Sequence, residues 1–204
     1  MIRDKLRVIN KNLKGFTLVE LLIAITITAV ISTAIATASY QIFKVNARSL
    51  NRQLAIAQVQ NGANAVSRDA QQAQDIVPID HNNSPLTVNG SNQIVFDLTK
   101  ANGDQLEIDW VAWDVATQHN TTYRVIYSVV NKVLQKTIAL KVDNGAFGPA
   151  STAVVANYVT SATGNWDLDE KTLNLIVQVD VPNTTTGNKA TEKRTLQIVP
   201  RPAQ

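Results

Sequence analysis

Apolar and polar positions alternate in three different ways along the chain. Residues 21–43 run for 23 positions without a charged side chain, and without Gly or Pro, in a sequence dominated by Leu, Ile, Val, Ala and Thr. A run of about 20 such residues crosses a bilayer core as one helix, and lipid requires the backbone to satisfy its own hydrogen bonds, which a helix does. Further on, Ile56, Val59, Ala63, Val66, Ala70, Ala73 and Val77 recur at spacings of three and four, an apolar stripe along one helix face. Gln58, Gln60, Asn61, Ser67, Gln71, Gln72 and Gln74 fill the remaining surface. No Pro precedes Pro78, so the pattern predicts one helix over about residues 16–76. At 1.5 Å per residue it is on the order of 90 Å long, with Gly62 as its weakest point.

The period then changes to two. Tyr123, Val125, Tyr127 and Val129 alternate, as do Leu134, Lys136, Ile138, Leu140 and Val142, and Leu173, Leu175, Val177, Val179 and Val181. Asn89-Gly90, Asn102-Gly103 and Asn144-Gly145 have the residue types of tight hairpin turns. The apolar face of Leu106, Ile108 and Trp110 switches to Val111, Trp113 and Val115, which predicts a bulge near Trp110. A last strand is expected over residues 195–199, closed by Pro200 and Pro202. A helical spine, transmembrane in its first half and amphipathic in its second, packed on an antiparallel sheet is an α+β arrangement. The expected divisions are a leader at 1–15, a membrane helix at 16–43, a helical stem at 44–77 and a strand-rich head at 78–204.

Charge sharpens these divisions. The 204 residues carry a formal net charge of +3. Arg3, Lys5, Arg7, Lys11 and Lys14 stand against the single acid Asp4 in the first fifteen positions, so the basic character belongs to the leader, and bulk attraction to nucleic acid loses its support. Basic residues ahead of the apolar run place the N-terminus on the cytoplasmic side. Lys44, Arg48, Arg52 and Arg68 follow the run with no acid between Glu20 and Asp69, whereas residues 69–204 hold 14 acids and 10 bases. Opposite charge on stem and head suggests lateral complementarity between subunits; a solvated stripe beside lipid headgroups accounts for the same residues.

The segment Gly15-Phe16-Thr17-Leu18-Val19-Glu20-Leu21-Leu22-Ile23-Ala24 follows the basic leader and opens the apolar run. It resembles the N-terminal signature of type IV pilins and pseudopilins. The resemblance implies that prepilin peptidase cuts between Gly15 and Phe16 and methylates the new Phe16 amine. It implies that the helix serves first as an inner-membrane anchor, later as the packing core of a filament, and that other pilin-like subunits and an assembly platform are its partners, beside membrane lipid. Head size and the absence of Cys look like minor pilins and minor pseudopilins of type IV pili, type II secretion or DNA-uptake filaments. A membrane-anchored binding module or adhesin that never enters a filament is the alternative.

Glu20 stands out on physical grounds as well, because a carboxylate at the edge of a lipid-compatible run costs about 2.5 kcal/mol or more and needs a partner. The Phe16 ammonium, one helical turn away after cleavage, or its counterpart on a neighbouring subunit supplies one. Thr17, Thr26, Thr28, Ser32, Thr33, Thr37 and Ser39 among Ala and Ile permit close helix approach, or bond their hydroxyls to the preceding turn.

Catalytic chemistry is sparse. With no Cys there is no thiolate, and His81 and His119 are far apart in polar contexts. Neither a nucleophile-elbow motif nor a Gly-rich phosphate loop occurs, so no catalytic residue and no firm metal site are assigned. Asn165, Asp167, Asp169 and Glu170 form an oxygen-rich run suited to calcium; a solvated turn explains them equally. Trp110, Trp113, Tyr123, Tyr127, Tyr158 and Trp166 either fill a core or form a platform for a glycan, DNA or an exported protein.

Overall fold

The computed structural model describes residues 16–114, 118–141, 146–183 and 187–200. The chain separates into two compact units, Met1–Asn46 and Ala47–Gln204. Helix α1 (Leu18–Gln72) gives its first part to the former and its last part to the latter.

The helix ends earlier than the stripe predicts. Ile76 and Val77 lie in strand β1 (Asp75–Ile79). Pro78 biases the residue before it toward extended backbone, and by Gln74 the chain is already on a sheet, its N–H donating to the Asp109 carbonyl at 2.9 Å.

Among the described residues eight further strands follow: β2 (Gln93–Asp97), β3 (Gln105–Asp114), β4 (His119–Val130), β5 (Val133–Leu140), β6 (Ser151–Ala156), β7 (Val159–Asp167), β8 (Thr172–Pro182) and β9 (Lys189–Ile198). All pairings between them are antiparallel, but they form two sheets rather than the single one expected: β1-β3-β4-β5-β6 and β2-β7-β8-β9. The second sheet hinges on β7, whose apolar residues do not alternate. A register shift between Val159 and Ser161 breaks the period. Gly164 supplies the space for Phe96 of β2, since a Cβ there would meet the Phe96 ring at 2.7 Å and collide with the Asn174 carbonyl oxygen.

The turns also differ from expectation. Asn89-Gly90 begins a wider loop in which Asn89 accepts the N–H groups of Ser91 and Gln93, and the left-handed residue is Asn92. Asn102-Gly103 joins β2 to β3, which belong to different sheets. The tight hairpin lies between β4 and β5 at Asn131-Lys132, where both central residues have positive φ (51° and 64°), the geometry of a type I′ turn. No bulge occurs near Trp110: β3 pairs with β4 in unbroken register from Leu106 to Asp114. Leu106 and Ile108 are buried, whereas Val111 and Trp113 point to the other face and are exposed. Val115, Val142, Asn144-Gly145 and Pro202 lie outside the described residues.

Within the second unit, α1 steps across the first sheet. The Gln58 side-chain oxygen accepts the N–H of Asn157, just after β6. Gly62 lies so close to Leu134 and Ala156 that a Cβ would sit 3.2 and 3.4 Å from them. Val59, Ala63, Val66 and Ala70 are buried, as the stripe predicts, but at its start Ala55 is buried in place of the half-buried Ile56. Asp69 is buried with them. Its carboxylate accepts the Tyr127 hydroxyl at 2.6 Å and faces the Lys136 ammonium at 2.5 Å, while Arg68 lies 3.6 Å away at the exposed edge. Burial first, then the bond to this carboxylate, drives the Tyr127 phenol well above its usual range. The buried side chains of α1 and both sheets form one continuous core.

Candidate assembly surface

The first described residues show why the helix begins where it does. Thr17 precedes the helix and Glu20 is its third residue, the spacing of a capping box. The Glu20 carboxylate accepts both the N–H and the hydroxyl of Thr17 at 2.9 Å, and the Thr17 hydroxyl oxygen accepts the Glu20 N–H at 3.2 Å. Thr-x-x-Glu is the sequence signal for this pairing, which Glu20 makes with Thr17 of its own chain rather than with the expected Phe16 ammonium. Gly15, the other half of the expected cleavage bond, lies outside the described residues with the rest of the leader.

From Phe16 to Phe43 every residue is exposed. Leu18, Ile25, Val30, Ile35, Ile42 and Phe43 each present more than half of their surface. The helix is long and apolar enough to cross a membrane, and none of its most apolar 18-residue window is buried within the chain. Four of its threonine hydroxyls make no demand on a partner. Thr26, Thr28, Thr33 and Thr37 donate to carbonyls of Ile23, Ala24, Ala29 and Thr33 at 2.7–2.8 Å. What remains outward is a cylinder of hydrocarbon with small Ala positions, and contiguous exposed apolar surface on that scale marks a membrane or protein contact.

The other candidate residues disperse. Asn165 sits within β7, paired with Val95 and Asn174. Asp167 anchors the β7–β8 turn by accepting the N–H groups of Asp169 and Glu170 at 3.0 Å and the Gln93 amide at 2.9 Å. Those bonds, the Glu170 N–H first, hold its carboxyl below the ordinary aspartate range. Asp169 accepts the Asn92 amide. The run therefore forms a hydrogen-bonded turn, and among the described residues no group of three or more His, Asp or Glu is placed to hold a metal ion. His81 lies in the turn after β1 and His119 opens β4, so they share no site.

The aromatics divide between the two readings. Tyr127 and Trp166 are core residues, and Trp110 stacks on Tyr123 with ring centroids 5.6 Å apart. Only Trp113, 62% exposed, and Tyr158, 40% exposed, face outward. On the same face of the first sheet as Trp113, Arg124 bridges Glu107 and Asp109 at 3.0 Å and lies 4.0 Å over the Phe147 ring, a cluster the sequence pattern did not reveal. Arg52, which the sequence places on a basic stripe facing either a neighbouring subunit or lipid headgroups, bonds Glu192 of its own chain at 3.0 Å.

Comparison with curated proteins found no match. Comparison with family descriptions found one, the prokaryotic N-terminal methylation motif, over residues 10–36. The matched residues cover the end of the leader, the capping box and the first half of the exposed apolar helix, and residues 10–36 carry a type IV pilin-like N-terminal signal.

Proposed function

We propose that the chain is a non-enzymatic structural subunit, a minor pilin or pseudopilin, of a type IV pilus, type II secretion or DNA-uptake filament. Prepilin peptidase cuts after Gly15 and methylates Phe16, and the subunit waits in the inner membrane with its strand-rich unit outside the cytoplasm. It then enters a filament through the helix that begins at Thr17. The observation carrying this reading is the coincidence of the methylation motif with a helix that its own chain leaves bare. A helix of this composition has lipid or other helices as its only favourable surroundings.

Glu20 links processing to assembly in this reading. Its carboxylate already closes the first turn through Thr17, and it retains acceptor capacity for the Phe16 ammonium of a neighbouring subunit. The pairing neutralises two charges in a dry helix bundle and sets the axial register of the incoming subunit. Glu20→Ala should insert and be cleaved as usual but be depleted from sheared filaments.

Processing is tested by the N-terminal peptide mass of the full chain from host membranes, with and without the peptidase. A chain beginning at N-methyl-Phe16 only when the peptidase is present supports the reading. Retention of residues 1–15 in both membranes would favour an anchored binding module instead.

A further inference from the structure

Charge is distributed unevenly over the second unit. Residues 69–188 hold 13 Asp and Glu against 6 Lys and Arg. Two of those bases, Lys100 and Lys132, line one cavity of about 680 Å³, where the β2–β3 connection, the β4–β5 turn and the start of β7 meet. Among the described residues neither lysine forms an ion pair, and no Asp or Glu lines the cavity. The acids nearest in sequence are turned to their own loops. Asp97 accepts the N–H and the hydroxyl of Thr99 at 2.8 and 2.6 Å, and Asp104 accepts the Asp97 N–H at 2.8 Å. His81 also lines the cavity, and the carboxylate of its neighbour Asp80 accepts the N–H groups of Asn82 and Ser84.

Thr160 adds a demand that charge alone does not. It falls at the register shift of β7, between Val159 opposite Val179 and Ser161 opposite Gln178, and a bulge of this kind re-aims a side chain. Thr160 lines the same cavity, and its Oγ1 is buried with no hydrogen-bond partner among the described residues. A hydroxyl both donates and accepts, and leaving it unmatched costs its desolvation, so a ligand with hydroxyls of its own complements it. Asn102, Gln105 and Ser128 add polar side chains to the lining, beside the buried Leu98 and Val159. Among the described residues no aromatic ring lines the cavity, whereas single-stranded nucleic acid is held by stacking on such rings.

We infer that this cavity binds an acidic sugar, a hydroxylated ring bearing an anionic group. Its volume lies within the range of about 300–1,000 Å³ usual for small-molecule sites and exceeds what a bare inorganic anion fills. The Lys100 and Lys132 ammonium groups donate to the anionic oxygens, a charge-assisted pairing. The Thr160 hydroxyl and the Asn102 and Gln105 amides exchange hydrogen bonds with the ring hydroxyls, and Leu98 and Val159 meet the apolar C–H face of the ring. The site lies wholly within the second unit, so it depends neither on the membrane span nor on entry into a filament.

The test uses the full chain in phosphatidylcholine nanodiscs and follows Tm by tryptophan fluorescence, which reports the second unit because Trp110, Trp113 and Trp166 all lie in it. Millimolar digalacturonate should raise Tm, whereas maltose, an uncharged disaccharide, should raise it much less. Replacing both lysines, Lys100→Gln with Lys132→Gln, should weaken digalacturonate binding by about tenfold or more through the loss of two charge-assisted bonds. Thr160→Val keeps the shape and removes the hydroxyl. Without ligand its Tm should be unchanged or higher, since the orphaned oxygen is gone, while binding weakens several-fold. A purely structural hydroxyl would do the reverse, lowering Tm and leaving binding intact, and that result would overturn the role given to Thr160. The whole proposal fails if digalacturonate leaves Tm unmoved, if maltose or acetate at equal concentration matches it, or if the double lysine variant binds as tightly as the parent chain.

Discussion

The two parts of helix α1 have similar backbones and opposite requirements. Before Asn46 nearly every side chain is exposed and most are hydrocarbon; after Ala47 one face is buried against the strands of the same unit and the other is polar. The first part is incomplete as a water-soluble object, because its apolar surface has no cover among the described residues. The second part is complete, and even its one buried acid is matched by a Lys and a Tyr. Helical propensity does not distinguish them. What differs is whether the sequence also supplies the surface that the helix needs.

The contrast can be broken most severely at Asp69. Asp69→Ala leaves the Lys136 ammonium and the Tyr127 hydroxyl buried without their acceptor, and removing one partner of a buried pair costs about 3–5 kcal/mol. Denaturant unfolding of the second unit should show that loss, while membrane insertion is unchanged. Adding Lys136→Met should recover much of it, since an apolar pair of similar volume is often tolerated. A smaller step compares equivalent truncations in the two parts. Val66 is fully buried and Val30 is 69% exposed, so Val66→Ala should cost about 2 kcal/mol and Val30→Ala nothing measurable in the same assay.

Surface electrostatics should contribute least. Arg52 is mostly exposed in its pair with Glu192, and Arg52→Ala should shift stability by under about 1 kcal/mol. Acid should loosen the β7–β8 turn. The Asp167 carboxyl is depressed by the Glu170 N–H, so its contribution is present above the ordinary aspartate value and fades as pH falls through the lower folded value. The protection factors of the Asp169 and Glu170 amides, corrected for the intrinsic pH dependence of exchange, should fall in that acid window and not at neutral pH. Unchanged protection would assign the turn's order to its strands alone.

Much of this was legible in the residues because the relevant signals are local. The uncharged run, the three-and-four stripe and the alternation in β4, β5 and β8 each mark their elements by period. Pairing between distant strands was not legible. β7 hides behind Ala162, Gly164 and a bulge, so neither its existence nor its partnership with β2 shows in an alternation pattern. The Asn131-Lys132 turn escapes because Lys replaces the Gly that normally marks such a hairpin. Asp69 is the instructive miss. It falls on the line of Ala55, Val59, Gly62 and Val66, and Lys136 falls on the apolar face of β5, so two charges at core positions already implied each other. At the candidate assembly surface the sequence supplied the run and Glu20, while the Thr17 partner emerged from the hydrogen-bond geometry.

The central claim is that the part of α1 left bare by its own chain is covered by other chains. The sequence has no Cys, so single cysteines can be introduced on a clean background, at Val30 in the first part and at Val59 in the second, and labelled with a thiol-directed photocrosslinker that captures any adjoining chain in sheared filaments. The account predicts crosslinks between pilin-like subunits through Val30→Cys and none through Val59→Cys. Val30→Cys that remains monomeric in the filament fraction, or chain found only in membranes with no helix partner, would contradict it.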